Sequence, residues 1–145
     1  MSQLLSAVNA AASALDAQRA RMEVAVSNMA NAESTQGPNG TPYRRRDVVL
    51  AAVSPDAFGQ ALGQANGGNA DGVRVVGVVE DQTPFQKRYE PGHPQADKDG
   101  FVEMPNVDVP EEMVNLLSAA RAYQANLTAI GLIRDTVQKA LELAK

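Results

Sequence analysis

The sequence predicts an α+β protein, mainly α, in which long N- and C-terminal helices pair antiparallel as a coiled coil around a small β-hairpin module. Three observations predict this fold. Apolar residues recur every seven positions at both ends of the 145-residue chain, Gly and Pro punctuate the middle, and the apolar stretches there are short and rich in Val. The predicted domains are a helical one, formed by residues 1–35 and 106–145, and a β-rich insert over 36–105.

The N-terminal helix is predicted over residues 2–32, a stretch of helix-forming residues without Gly or Pro. Two apolar seams follow the heptad spacing, one formed by Val8, Leu15, Met22 and Met29 and the other by Leu5, Ala12 and Val26. Arg19 interrupts the second seam. Short polar side chains, among them Asn28, Asn31 and Ser34, then compete for backbone hydrogen bonds and end the helix.

The middle of the chain predicts short strands and turns. Strands rich in Val are predicted over 46–53 and 73–80, and a third over 85–90, where Phe85 and Tyr89 alternate with polar residues. We predict that the strands at 73–80 and 85–90 pair as a hairpin. The Gly- and Asn-rich segment 54–72 is predicted to be a flexible loop, and a short extended piece covers 101–104.

The C-terminal helix is predicted to begin after Asn106 and Asp108, whose side chains are suited to capping. Pro110 lies in its first turn, and Glu111 and Glu112 follow where a helix N-terminus favours negative charge. Two heptad seams run to about residue 144, one formed by Met113, Ala120, Leu127 and Leu141 with a break at Arg134, the other by Leu116, Tyr123, Ile130, Val137 and Ala144.

The composition argues against several classes of function. A net charge of −4 disfavours a nucleic-acid partner, and the single basic run, Arg44 to Arg46, is better explained as a solvated edge or an intersubunit contact than as a phosphate site. The chain has no Cys for a disulfide or a thiolate. The first residues lack the pattern of a secretory signal, and no stretch has the roughly 20 apolar residues that cross a bilayer. We expect no direct membrane insertion and no cleaved signal peptide.

Candidate catalytic residues are few. His93 is the sole histidine and lies between Gly92 and Pro94, where a solvated turn is the simpler explanation than a general base. The motif Asp97-Lys98-Asp99-Gly100 resembles part of a calcium loop, but Asn106 stands where the bidentate Glu belongs, so a turn is favoured. We therefore expect no enzyme activity, metal or cofactor.

Several segments of the sequence resemble one family. SNMANA at 27–32, NVDVPEEMVN at 106–115 and RAYQAN at 121–126 resemble the two terminal signatures of flagellar axial proteins. The stretch 89–108, which begins YEPGHP, is similar to the proximal rod proteins of that family. Pro110 and the segment 54–72 depart from the family pattern.

The resemblance implies a structural subunit of the bacterial flagellar basal-body rod, the periplasm-spanning drive shaft that transmits motor torque. It also implies export in an unfolded form through the flagellar type III apparatus. The implied partners are further copies of the chain, the rod proteins FlgB, FlgF, FlgG and FliE, and the base of the motor ring. The alternative function is a soluble coiled-coil binding module, such as a chaperone or a regulator.

The expected assembly and helix-packing residues combine the seams with polar positions in the signatures. The polar ones are Asn28, Asn31, Asn106, Arg121, Tyr123 and Asn126. Two interpretations remain open for these polar residues: they contact neighbouring subunits, or they cap and order the helices within one subunit. Ala-rich flanks on both helices suit close packing by further helices and favour a polymer.

Overall fold

The computed structural model describes residues 2–37, 40–53 and 72–143. Its elements are α1 (Ser2–Ala30), β1 (Arg46–Ala52), β2 (Val73–Glu80), β3 (Gln86–Tyr89), β4 (Phe101–Met104) and α2 (Val109–Leu143). Two long terminal helices in contact and two small antiparallel strand pairs confirm the mainly α class. Residues 54–71 of the predicted flexible loop, and Ala144 of the second C-terminal seam, lie outside the described residues.

Helix α1 ends two residues earlier than the sequence suggests, because Asn31 takes over the bonding at its C-terminus. The Asn31 side-chain Nδ2 donates to the Ser27 carbonyl oxygen at 2.8 Å, and Ser34 Oγ donates to Asn31 Oδ1 at 3.3 Å. The Ser27 carbonyl oxygen also accepts the Asn31 backbone N–H at 3.1 Å, so Asn31 bonds it through both its backbone and its side chain. Among the described residues, neither helix combines the length and the apolarity needed to cross a membrane.

The strands pair differently from the predicted hairpin. Strand β2 pairs with β1, and β3 pairs antiparallel with β4, with Gln86 opposite Met104 and Tyr89 opposite Phe101. The prediction that 73–80 pairs with 85–90 was therefore wrong. An alternating pattern identifies a strand and its faces but not its partner. After β2, the Asp81 N–H donates to the Arg45 carbonyl oxygen at 2.8 Å, which extends the ladder with β1.

The chain divides into two compact units. Unit 1 comprises Met1–Ala20, Val49–Gly77 and Ser118–Lys145, and its buried apolar residues include Ala17 and Ala119. Unit 2 comprises Arg21–Val48 and Val78–Leu117. The division predicted from sequence, at residues 35/36 and 105/106, stays a prediction.

The core of unit 2 is small and partly polar. Its buried apolar side chains include Ala25, Val102, Met104 and Val107, and the inward face of β4 supplies two of them. Two further buried residues are polar, namely Asn28 and Glu112. A buried polar group is costly unless it is hydrogen-bonded. The candidate site is therefore formed by these two residues and their hydrogen-bond partners.

Gly100 is required by the β3–β4 hairpin, and Gly100→Ala is expected to lower the free energy of unfolding by about 1 to 2 kcal/mol. Its φ is +82°, and a Cβ atom would lie 2.9 Å from the Tyr89 ring, which packs edge-on against Phe101 at 5.3 Å between centroids. Urea denaturation measures the effect. Gly92→Ala is the matched control because no atom lies within 4 Å of its Cβ position; an equal loss in both variants would contradict the account.

Candidate functional site

Asn28 is the central residue of a polar network in unit 2. It is 1% exposed and lies near the end of α1. Its Nδ2 donates to the Arg46 carbonyl oxygen at 2.8 Å, while its Oδ1 accepts the Arg46 N–H at 2.9 Å and the Tyr43 hydroxyl at 3.0 Å. The side-chain amide therefore bonds both the carbonyl oxygen and the N–H of Arg46. A residue of a neighbouring strand would bond the same two backbone groups.

Glu112 connects this amide to a charge. It is 2% exposed in the first turn of α2, and its Oε2 accepts a hydrogen bond from Asn28 Nδ2 at 3.0 Å. Its Oε1 accepts one from Arg45 Nε at 2.7 Å. That bond is the main reason why the pKa of Arg45 is raised above its ordinary value. Charge-assisted bonds of this length are the strong class, so a buried carboxylate is fully compensated. We call Asn28, Tyr43, Arg45, the Arg46 backbone and Glu112 the Asn28–Glu112 network.

The basic run and the predicted cap both have roles within the chain. Arg45 also lies 3.5 Å from Asp81 and 3.4 Å from Glu111, so the solvated edge proposed for this run is wrong at Arg45. Asn106 does not cap α2: its Oδ1 accepts the Arg45 N–H at 2.8 Å, and its Nδ2 donates to Thr83 Oγ1 at 2.8 Å. Sequence cannot distinguish these roles, because the partners lie more than 20 residues away in the chain.

Asp81 is expected to contribute stability that depends on pH. Hydrogen bonding by the Thr83 N–H, at 2.9 Å from Asp81 Oδ1, is the largest cause that lowers the pKa of this carboxyl below its ordinary 3.8. A lowered folded-state pKa gives stability that is present above pH 3.8 and is lost as the pH falls through the folded value. Urea titrations of the native chain and Asp81→Asn from pH 7 to pH 2 should therefore converge only below pH 3.8. A constant difference would contradict this.

Unit 1 contains an apolar groove between the two terminal helices. Its volume is about 660 Å³, and it is lined by Leu4, Leu5 and Val8 from α1 and by Ile130, Ile133, Arg134, Val137 and Gln138 from α2. Four of the predicted packing residues, Leu5, Val8, Ile130 and Val137, thus meet here. Leu5 is nevertheless 63% exposed.

The remaining predicted residues of unit 1 divide by exposure. Leu15, Tyr123 and Asn126 are half-buried, like Val8, Ile130 and Val137. Arg121, Leu127 and Leu141 are exposed, Leu141 by 61%. The seam that contains Tyr123, Ile130 and Val137 is thus partly covered within the chain, whereas Leu127 and Leu141 of the other seam are exposed.

The predicted residues of unit 2 divide in the same way. Met22, Met29, Asn31, Asn106 and Leu116 are half-buried, and Asn28 is buried. Val26 and Met113 are 50% and 53% exposed. Asn28 and Asn31 both bond within the chain; whether they also contact neighbouring subunits stays a prediction.

Sequence reasoning missed Tyr43, Arg45 and Glu112 as members of the network. Its position correctly predicts that Glu112 lies in the first turn of α2. The local sequence does not show whether a glutamate at that position is buried or exposed. Arg45 was noted only as part of a basic run. For Glu112 the available signal was its position within 106–115, a segment that resembles one family; Arg45 lies outside every such segment.

The turn between β3 and β4 contains the residues weighed for chemistry. His93 Nδ1 accepts the Gln95 N–H at 3.2 Å. Asp97 Oδ1 accepts the N–H groups of Asp99 at 2.9 Å and Phe101 at 2.8 Å, which confirms the predicted turn. Over residues 2–37, 40–53 and 72–143, no three His, Cys, Asp or Glu residues are grouped so that they could hold a metal ion.

Comparison with known proteins matches both ends of the chain. Residues 8–38 match the family model described as flagella basal body rod protein, and residues 98–143 match the one described as flagellar basal body rod FlgEFG protein C-terminal. The first range contains Asn28 and the second contains Glu112.

Curated relatives extend the similarity to nearly the whole chain. The flagellar basal-body rod protein FlgC of Salmonella typhimurium strain LT2 is 48% identical over 142 residues, which cover 98% of each chain. The FlgC proteins of Escherichia coli O6:H1 and Bacillus subtilis strain 168 are 46% and 42% identical, covering 98% and 95% of this chain and 98% and 96% of their own. The chain belongs to the FlgC family of flagellar basal-body rod proteins, and it is a structural rod subunit rather than an enzyme.

Proposed function

We propose that the chain polymerises through its terminal helices into the periplasm-spanning shaft that transmits motor torque. In this proposal α1 and α2 pair antiparallel as a coiled coil, residues 1–35 and 106–145 act as one helical domain, and residues 36–105 are its insert. The other FlgC-family members carry the name of rod proteins, which supports the rod as the place of assembly.

The apolar groove of unit 1 is the observation that carries this proposal. Six of its eight lining residues are aliphatic, and Leu5 among them is 63% exposed in the single chain. Exposed apolar area costs roughly 25 cal/mol per Å², so a surface of this kind favours an occupant. A further helix fits a groove between two helices by ridges-into-grooves packing. The proposed occupant is a terminal helix of a neighbouring rod subunit. Such a contact joins two different surfaces of the two subunits, and a heterologous contact of this type can propagate into a filament.

The proposed partners follow from rod assembly. They are further copies of the chain, FlgB, FlgF, FlgG and FliE, and the base of the motor ring. Arg121, Tyr123 and Asn126, near the middle of α2, are proposed to contact them together with the exposed seam residues Leu127 and Leu141. Delivery through the flagellar type III export apparatus, without a cleaved signal peptide, belongs to the same proposal.

A charge placed in the groove tests the proposal. Ile133→Glu is expected to reduce incorporation into isolated basal bodies by about tenfold or more, because a buried carboxylate without a partner is costly at a helix contact. Cells carrying the variant as their sole copy would be measured by quantitative immunoblot. Gln86→Glu, which adds the same charge at an exposed position of β3, is expected to incorporate normally.

Two results would contradict the proposal. One is normal incorporation of Ile133→Glu, and the other is a stable discrete dimer of the purified native chain by sedimentation, which would favour the coiled-coil module. Far-UV circular dichroism of both variants establishes that the helices are retained.

A further inference from the structure

We propose that the Asn28–Glu112 network sets the register of α1 against α2, so that the helix pair forms in one arrangement. The inference assumes the antiparallel pairing of the proposed function and adds to it the residues that determine pairing specificity. It concerns contacts within one chain, whereas the groove of unit 1 concerns contacts between chains.

The apolar seams alone discriminate weakly between registers. Because they repeat every seven residues, a slip of seven brings apolar residues to the seam positions of unit 2: Met113 is replaced by Ala120, and Leu116 by Tyr123. The buried apolar residue that α1 supplies to unit 2 is only an alanine, Ala25, while Val26 and Met113 are at least half exposed. The difference in apolar burial between the two registers is therefore small.

The network has no such periodicity. A slip of α2 by seven residues, or about 10.5 Å, puts Ala119 in the place of Glu112, and a slip the other way brings in Pro105. Neither side chain can accept a hydrogen bond. Asn28 would lose its partner on α2, and Arg45 would lose the carboxylate at 2.7 Å. A lost bond to a charged group costs more than an ordinary hydrogen bond, so only one register satisfies the network.

The two helices are also bonded to two adjacent residues, one helix to each. Asn28 of α1 binds the Arg46 backbone at 2.8 and 2.9 Å, and Glu112 of α2 binds the Arg45 side chain. Among the described residues no buried side-chain nitrogen or oxygen lacks a hydrogen-bond partner. The segment at the start of β1 therefore aligns α1 and α2 to each other, as a buried polar residue fixes register in a coiled coil.

Cysteine cross-linking in the full-length chain tests this, because the sequence has no Cys. Ala25 and Asn115 line one small cavity of about 120 Å³, so a bifunctional maleimide long enough to span it joins Ala25→Cys to Asn115→Cys in the observed register. Ala25→Cys with Ala122→Cys reports the register slipped by seven. The yield of each intramolecular cross-link is measured by denaturing gel electrophoresis in the native background and in two variants, Glu112→Leu and Glu111→Leu.

We expect the first cross-link to dominate in the native background, with a small yield of the second. Glu112→Leu should raise the ratio of slipped to observed cross-link by about tenfold or more, since it removes the bonds to Asn28 and Arg45 and keeps an apolar residue there. Glu111→Leu is the matched control because it is adjacent and also near Arg45, at 3.4 Å, but exposed; its ratio should not change. Glu112→Gln, which keeps one accepting oxygen, should raise the ratio less than Glu112→Leu.

An unchanged ratio in Glu112→Leu would overturn the inference, as would a missing 25–115 cross-link in the native background. If Glu112→Leu loses its helical circular dichroism, Glu112→Gln decides, and an unchanged ratio there overturns the inference. None of these measurements uses incorporation into basal bodies. A failure of the register inference is therefore distinguishable from a failure of the proposed assembly surface.

Discussion

Arg45→Met is expected to lower the free energy of unfolding by about 3 to 5 kcal/mol, the largest effect of any single substitution considered for this chain. Glu112 is 2% exposed, and Arg45 Nε lies 2.7 Å from its Oε1. Without the guanidinium, the carboxylate keeps one hydrogen-bond partner among the described residues, the Asn28 amide at 3.0 Å. Removing one member of a buried pair leaves a charge without compensation, which costs more than the pair itself contributes. Urea denaturation of the full-length chain measures the change.

Arg46→Met is the matched control for that experiment. Arg46 is the next residue, and its side chain is half exposed and 3.6 Å from an equally exposed Glu80. An exposed ion pair contributes about 0 to 1 kcal/mol, and the Arg46 backbone groups that bind Asn28 are unchanged by the substitution. Equal losses in the two variants would show that the burial of Glu112 does not determine the effect.

Asn28→Ala is expected to cost about 3 kcal/mol. The substitution removes four hydrogen bonds, two with the Arg46 backbone and one each with Tyr43 and Glu112. It leaves the Arg46 N–H and carbonyl oxygen unpaired beside α1, and unmet buried polar groups carry their full desolvation cost. Thermal unfolding followed by circular dichroism gives a second measure of the same loss.

Asn31→Ala is the control for Asn28→Ala, because it also removes an asparagine side chain near the C-terminus of α1. Asn31 is half-buried and bonds only locally, through its Nδ2 to Ser27 and its Oδ1 to Ser34. We expect a loss of about 1 kcal/mol, typical of a removed terminal bond. A loss at Asn31 as large as that at Asn28 would mean that the connection to α2 and β1 contributes little.

Much of the fold follows from local sequence. The heptads, the run without Gly or Pro and the acidic first turn of α2 predict both helices to within two residues at their described ends. Strand β2 was predicted with its observed bounds, because a Val-rich run with one Gly has few other local conformations. Pairing was the failure: β2 with β1, rather than with β3, depends on backbone contacts such as Asp81 with Arg45 that local alternation does not encode.

The site was less predictable than the fold. Asn28 was singled out from its signature, but its partners Glu112 and Arg46 are 84 and 18 residues away in the chain. The heptads also do not indicate which seam is covered: Ile130 and Val137 are half-buried, whereas Leu127 and Leu141 are exposed. Burial of a side chain depends on which helices and strands pack together. It can therefore be assigned only when the tertiary structure is known.

In unit 2 of this FlgC-family subunit, a buried polar bond joins the two terminal helices beside a small apolar core. The proposed role in a torque-transmitting shaft requires subunits whose helices hold one arrangement under load. Small alanines allow close approach of the helices, and the network supplies the specificity that the alanines lack. The groove in unit 1 remains available for a neighbouring subunit.

A double-mutant cycle between Asn28 and Glu112 tests most directly the claim that a buried polar bond joins α1 to α2. The free energy of unfolding is measured for the native chain, Asn28→Ala, Glu112→Ala and the double variant. We predict a coupling energy of about 1 kcal/mol or more, as expected for hydrogen-bonded neighbours, so that the double variant loses less than the sum of the single losses. Additivity to within about 0.3 kcal/mol would contradict the account.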